Sequence, residues 1–186
     1  MIRQATPADA PAISRLIVLA MGPVAAKFAN SDDPAKPLEL FERFAKLTGN
    51  QYSFTNILVW AEQGEACGMI IAYDGAKLDE LRKPFLDYTR SQLGFTGTPE
   101  DETQPGEYYI DCLAVNPDQQ GKGIAKKLIT ALFDHAAALG HNTVGLLVSK
   151  GNDKAKKLYT YLGFEEQGEK QLLGGSHSHL QYKISA

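Results

Sequence analysis

The stretch Gln120-Gly-Lys-Gly-Ile-Ala125 sets two glycines and a lysine where an apolar run ends and a helical pattern begins. The first turn of a helix leaves about four N–H groups without intrahelical acceptors, and the helix dipole adds roughly half a positive charge there. Gly121 and Gly123 let the backbone take conformations closed to other residues and approach a bulky ligand. Such a junction suits an anion, above all a phosphate. Lys122, Lys126 and Lys127 add attraction that salt screens. Two glycines alone are equally well explained by a loop that merely turns. Two other phosphate motifs fail: a dinucleotide fingerprint needs a small residue where Lys126 stands, and a P-loop needs Ser or Thr after Gly-Lys.

Other residues also carry chemistry. Asp111 stands in the apolar run Tyr108–Val115, where an acid is expensive unless paired or wet. Strand alternation puts it on the same face as Leu113. It is a candidate general base, and equally the partner of a buried lysine, arginine or hydroxyl. His177 and His179 alternate and could form a metal pair. No further His, Cys or acid stands at ligand spacing nearby, so the reading is a polar loop and no metal. His135 is expected on the exposed side of its helix and His141 in a turn.

The elements that must hold these groups follow from periodicity. "IRQATPADAPAISRLI" reads as a short strand and a helix, with Thr6 as N-cap and Ile13, Leu16 and Ile17 on one face. Residues 21–51 are helical in part, with Leu38, Phe41, Phe44 and Leu47 as a stripe. "ILVWAEQ" and "CGMIIAYDG" form a hairpin around Gly64. A helix interrupted near Pro84 and a polar loop follow. "YYIDCLAV" is a strand ended by Asn116-Pro117, and residues 122–139 form a helix stopped by Gly140. "TVGLLVS" is a strand. "NDKAKKLYTYLGF" is a helix capped by Asn152, and "GFEEQGEK" and "SHLQYKIS" close the chain as two strands. One α/β domain over residues 1–186 with a mixed sheet fits this order.

Composition bounds the rest. At 186 residues the chain can enclose one continuous core. A net charge of −3 offers no sign of nucleic-acid binding. No apolar run is long enough to span a bilayer, and "MIRQATPADA" lacks the apolar stretch of a secretory signal. Cys67 and Cys112 both sit in apolar runs and form no disulfide framework, so a reducing cytoplasm is expected. Charge is unevenly placed: residues 121–157 hold seven lysines against Asp134 and Asp153. A charge run is usually a solvated helix face, but these lysines flank the glycine junction.

Together these residues resemble the GCN5-related N-acetyltransferase family. Its signature, Gln/Arg-x-x-Gly-x-Gly/Ala, is met by Gln120, Gly123 and Ala125. "IDCLAVNP" is similar to the family's fourth strand. "NDKAKKLYTYLGF" is similar to its second coenzyme segment, through Asn152, Ala155, Tyr159, Leu162, Gly163 and Phe164. The resemblance is strong over residues 108–164 and looser before them. It implies a mostly antiparallel twisted sheet flanked by helices, with splayed central strands. It implies acetyl-CoA as cosubstrate. The main chain of Leu113, Ala114 and Val115 would pair with the pantetheine arm. Gln120, Gly121, Lys122, Gly123, Ile124 and Ala125 would hold the pyrophosphate. Asn152 and Ala155 would meet the arm, and Tyr159 would lie near the sulfur.

Acetyl transfer to an amine needs a neutral amine, a stabilised oxyanion and a proton for the departing thiolate. The resemblance assigns that last proton to Tyr159, although a core tyrosine on an apolar helix face is commoner than a catalytic one. The N–H of Leu113 would polarise the thioester carbonyl. The base is Asp111, Glu107 through water, or no single side chain. Family members often carry a glutamate where this chain has Tyr109. Residues 75–107 form an insertion longer than the family's usual turn, expected to cover the acceptor site or to make a homodimer contact. The expected function is transfer of an acetyl group to a primary amine of a small molecule or peptide. The alternatives are an inactive coenzyme sensor or subunit, and a generic nucleotide-binding module.

Overall fold

Apolar runs of period two build one seven-stranded sheet in the computed structural model, which describes residues 1–184. The strands are β1 (Ile2–Gln4), β2 (Ile57–Glu62), β3 (Glu65–Asp74), β4 (Tyr108–Val115), β5 (Thr143–Ser149), β6 (Glu165–Leu172) and β7 (Gly175–Lys183). They lie in the order β1-β2-β3-β4-β5-β7-β6, and every neighbouring pair is antiparallel except β4–β5. Gln63 and Gly64, both at positive φ, make the two-residue turn between β2 and β3. That geometry matches the twist of a hairpin. Ser185, the last residue of the expected closing strand, lies outside the described residues.

Helices α1 (Ala10–Met21), α2 (Pro23–Ala29), α3 (Ala35–Ala45) and α4 (Leu78–Leu93) pack on one face of the sheet. Helices α5 (Ile124–Ala138) and α6 (Asp153–Tyr161) pack on the other. Each helix shows the sheet an apolar stripe: Ile13, Leu16 and Ile17 on α1, and Ile124, Leu128, Leu132 and Ala136 on α5. The expected stripe on α3 shifts. Leu40, Phe41, Phe44 and Ala45 are its buried members, and Leu47 falls beyond the helix end and is exposed. Thr6 caps the first turn, its hydroxyl and N–H both donating to Asp9 Oδ2 at 2.9 and 2.8 Å. Arg3 from β1 clamps the same carboxylate at 2.7 and 2.8 Å.

The break expected at Pro84 does not occur; α4 runs through it. Proline's missing N–H would have served the carbonyl of Glu80, and both residues are exposed, so water can take that acceptor. Burial on the opposite side holds the helix. Phe85 is enclosed by Phe28, Phe41, Phe44 and Tyr52, with ring centroids 4.7–5.5 Å away. Most of these contacts are edge-on, the arrangement aromatic rings favour.

The sheet opens between β4 and β5. Their parallel pairing covers only Tyr108, Tyr109 and Ile110 against Val144, Gly145 and Leu146. Beyond that point β4 continues on β3 as far as Val115, and β5 continues on β7 as far as Ser149. A buried carboxylate holds the closed end. Glu107 Oε2 accepts 2.8 Å bonds from His179 Nε2 and Gln181 Nε2, both on β7, reaching past β5 at Gly145. A Cβ at position 145 would collide with that carboxylate, so only glycine lets it pass. His179 lies in β7, as the closing strand read from "SHLQYKIS" requires, and β7 begins early enough to take in His177 as well.

Where the strands part, β4 carries a bulge. Ile71 faces Cys112 and Ala72 faces Ile110, leaving Asp111 as the extra residue. Asp111 and Cys112 both turn toward the face of α1–α4, and Leu113 packs with the opposite cluster. The expectation that Asp111 and Leu113 share a face is overturned, because one inserted residue breaks the alternation. Among the described residues no single helix is long and apolar enough to cross a membrane.

Because Phe85 fastens α4 to three other elements, Phe85→Ala should lower unfolding free energy by about 3–5 kcal/mol. Phe85→Leu should lose less than half of that. Chemical denaturation of both variants measures the difference, and equal losses would show that ring packing is not what anchors α4.

Candidate active site

A cavity of about 460 Å³ occupies the opening between β4 and β5. Its lining draws on both core clusters: Tyr109, Cys112 and Phe85 from one side, and Leu113, Val148 and Tyr159 from the other. It thus threads the sheet, joining the face of α5 and α6 to the face of α1–α4.

Tyr159 reaches the cavity from α6. Its ring is 8% exposed and stands edge-on to Phe164, and its hydroxyl has no hydrogen-bond partner among the described residues. Burial pushes its pKa far up, so the hydroxyl keeps its proton at any ordinary pH. The hydroxyl faces the cavity and is free to donate to whatever enters it. Asn152 lines the cavity at the start of the same helix. Its Oδ1 caps α6 by accepting the Ala155 N–H at 3.1 Å, which leaves the amide N–H₂ for a ligand.

Asp111 lines the cavity opposite. Its Oδ2 accepts from Tyr73 Oη at 2.8 Å and Gln51 Nε2 at 3.0 Å. Its Oδ1 has no partner among the described residues. Burial raises its pKa, against the pull of those two donors. Of the expected partners, lysine, arginine or hydroxyl, it is a hydroxyl that meets Asp111, joined by the Gln51 amide. Glu102 lines the same space and accepts from Tyr109 Oη at 3.0 Å. Burial first, then the Asp111 charge, push it up to about 8. Two carboxyl groups in one apolar pocket cannot easily both ionise, so they titrate as a unit. Glu107 does not line the cavity: it is fully buried behind the closed end of the strands, its Oε2 held by His179 and Gln181.

Sequence reasoning missed Glu102, which sits in a polar stretch with no local pattern. Its one signal was indirect: the position usually acidic in the family is Tyr109 here, and Tyr109 reaches out to an acid from elsewhere. Gln51, Tyr52 and Tyr73 were missed for the same reason, because only the fold gathers them.

The glycine junction lies outside this cavity, at the start of α5. Gly121 and Gly123 have φ of 80° and 75°, and a Cβ at either would meet nothing within 4 Å. Their need for glycine is therefore backbone conformation. The Lys127 N–H reaches Gly123 O at 3.1 Å, and the amides from Gly121 to Lys126 have no acceptor among the described residues. The helix proper begins at Ile124, two residues later than the periodicity predicts. Gln120 Nε2 donates to Val115 O at 3.2 Å and so braces the loop against the end of β4. Lys126 and Lys127 lie over the rings of Tyr161 and Trp60, at 5.0 and 4.8 Å. His135 is half-buried beside Tyr108, not fully on the solvent side.

Comparison with known proteins agrees with this geometry. A mycothiol acetyltransferase of Gordonia bronchialis is 35% identical over 97 residues, which is 52% of this chain and 27% of that protein. The N-alpha-acetyltransferase RimI of Mycobacterium tuberculosis is 33% identical over 95 residues, 48% of this chain and 58% of that one. The chain thus spans little more than a quarter of the first relative and under two thirds of the second. The crystal structure of an N-acetyltransferase from Staphylococcus aureus Mu50 aligns over 98% of this chain and all of its own, with 27% identity and a TM-score of 0.83. Residues 24–164, well over half the chain, match the family of GNAT acetyltransferases. With its open central strands and its glycine-bearing helix start, this chain belongs to the acetyltransferase (GNAT) family.

Proposed function

We propose that the chain transfers an acetyl group from acetyl-CoA to a primary amine by direct attack, as a single domain working in the cytoplasm. The observation that carries this reading is one cavity lined by both a half-buried carboxyl pair and an unpartnered tyrosine hydroxyl. A protein kept only to sense a coenzyme has no use for such a pair of opposed proton handlers.

The residues present fit the cosubstrate. The free amides of Gly121–Lys126 suit its pyrophosphate, and the strand edge of Leu113, Ala114 and Val115, unpaired on the β5 side, suits its pantetheine amides. Asn152 and Ala155 sit where that arm would pass. Acetyl-CoA supplies the acyl group as an activated thioester. The Asp111–Glu102 pair takes a proton from the incoming ammonium, which leaves a nitrogen lone pair free to attack the carbonyl carbon. The Leu113 N–H donates to the oxygen that becomes negative. The C–S bond then breaks, and Tyr159 Oη gives its proton to the leaving sulfur. The nitrogen's second proton restores the Tyr159 hydroxyl, and the carboxyl pair releases its one captured proton to solvent, so the cycle ends with amide, thiol and one free proton. Retaining Tyr159 in its protonated form suits an acid, and a carboxyl pair held near neutrality suits a base.

Purified protein mixed with acetyl-CoA and an amine panel should release free thiol. Tyr159→Phe should lower kcat by about 10²-fold where chemistry is limiting; full activity in that variant would remove Tyr159 from the role of acid. Gly123→Val forces a β-branched residue to φ 75° and should raise KM for acetyl-CoA at least tenfold, with a smaller change in kcat.

The pH dependence has a definite sign. A base must be deprotonated, so kcat/KM should climb through about pH 8 and level off above it. Removing the Asp111 charge should let Glu102 fall back toward the ordinary carboxylate range. Carbon-13 NMR of Glu102 in Asp111→Asn reads this without any turnover, and an unmoved midpoint would mean that the two groups are not coupled.

A further inference from the structure

The inserted segment that brings Glu102 also covers one side of the cavity. After α4 the chain from Gly94 to Glu107 crosses to the turn between β6 and β7 and is fastened on both sides. Arg82 on α4 holds Asp101 Oδ1 at 2.5 Å and the Glu100 carbonyl at 3.3 Å. Across the cavity, Glu100 Oε2 accepts the N–H of Leu173 at 2.8 Å, in the β6–β7 turn. Thr103 adds a 2.6 Å bond to Gly75 O. Pro99, Glu102, Leu172 and Leu173 all line the cavity, so segment and turn form one continuous roof. A polypeptide whose terminal amine reached Asp111 would have to leave through this roof.

The walls carry a second message. Met21, Val24, Phe28, Phe85 and Leu86 present apolar surface, and the acids in the lining are Asp111 and Glu102. Arg82 and His177 are the cationic residue types in the lining, and both are committed. Arg82 is held by Asp79 and Asp101. His177 has Nδ1 at 3.1 Å from Gly175 O and Nε2 at 3.0 Å from Ser149 Oγ. A neutral ring satisfies both contacts, donating from Nδ1 and accepting from the serine hydroxyl. A carboxylate on the acceptor would therefore meet two acids and no free cation. Additional ammonium groups would lie against hydrocarbon.

We infer that the acceptor is a small primary amine on an uncharged apolar body of about the size of one aromatic ring, and not the N-terminus of a polypeptide. The inference rests on the acetyl-transfer reading for its chemistry, but the shape and charge argument concerns binding and can be tested separately. Protein saturated with CoA, which cannot react, is titrated calorimetrically with 2-phenylethylamine, phenylalanine, spermidine and a hexapeptide beginning with alanine. The first should bind at least tenfold tighter than each of the others. A competitor that equals it, or a failure of 2-phenylethylamine to bind, overturns the inference. The same four compounds are then followed by thiol release from acetyl-CoA. Tight binding of 2-phenylethylamine with no release from any amine would refute the transfer chemistry and leave the acceptor class standing. Release that is fastest with the hexapeptide would do the reverse.

The roof has its own test. Glu100→Ala with Asp101→Ala unfastens the segment at residues outside the catalytic set. Peptide turnover should rise at least fivefold relative to 2-phenylethylamine turnover, with an unchanged thermal unfolding midpoint as the control for folding. An unchanged peptide rate would show that the roof is not what excludes polypeptides.

Discussion

The separation of β4 from β5 governs everything else in this molecule. A sheet closed along its whole length would leave no unpaired backbone edge, no cavity and no passage between its two faces. Two local features produce the opening. Glu107 ties the start of β4 to β7 beneath Gly145, which fixes the closed end. The extra residue at Asp111 then bends β4 at the point where its pairing with β5 stops. A bulge commonly increases local twist and redirects a side chain. Here it does both at the same residue.

The bulge also explains how an acid comes to face an apolar pocket. Regular alternation would have put Asp111 and Cys112 on opposite faces. With the extra residue, both look toward α1–α4, and Asp111 finds Tyr73 and Gln51 waiting as donors. Those two hydrogen bonds favour the ionised form, and burial opposes it more strongly. Glu102 adds a second carboxyl to the same space. The result is a pair that holds a proton near neutral pH, set by enclosure and by mutual repulsion.

How much of this was legible in the sequence depended on whether the signal was local. Gly123 at a helix start, Asn152 at a cap and Tyr159 four residues beyond Ala155 lie in contiguous patterns, and the structure places each where its local pattern puts it. Strand and helix order followed from periodicity for the same reason. Pro84 misled because propensity was weighed without knowing that Phe85 would be enclosed by four rings. The face of Asp111 misled because a bulge is a property of two paired strands, visible in neither alone. Glu102 could not be found at all: its pocket is assembled by Gln51, Tyr73, Tyr109 and Asp111, which are brought together only by folding.

The insertion binds these points into one device. Its helical part, α4, is anchored through Phe85 to the aromatic core, and its extended part carries Glu102 over the cavity. The same segment therefore supplies half of the carboxyl pair and part of the cover that limits its contact with water. Moving the roof would admit water beside Glu102 and weaken the burial that raises its pKa. In the proposed reaction, acceptor selection and base strength are consequently not independent. A change that widens the pocket for larger amines should also lower the pH at which the carboxyl pair gives up its proton.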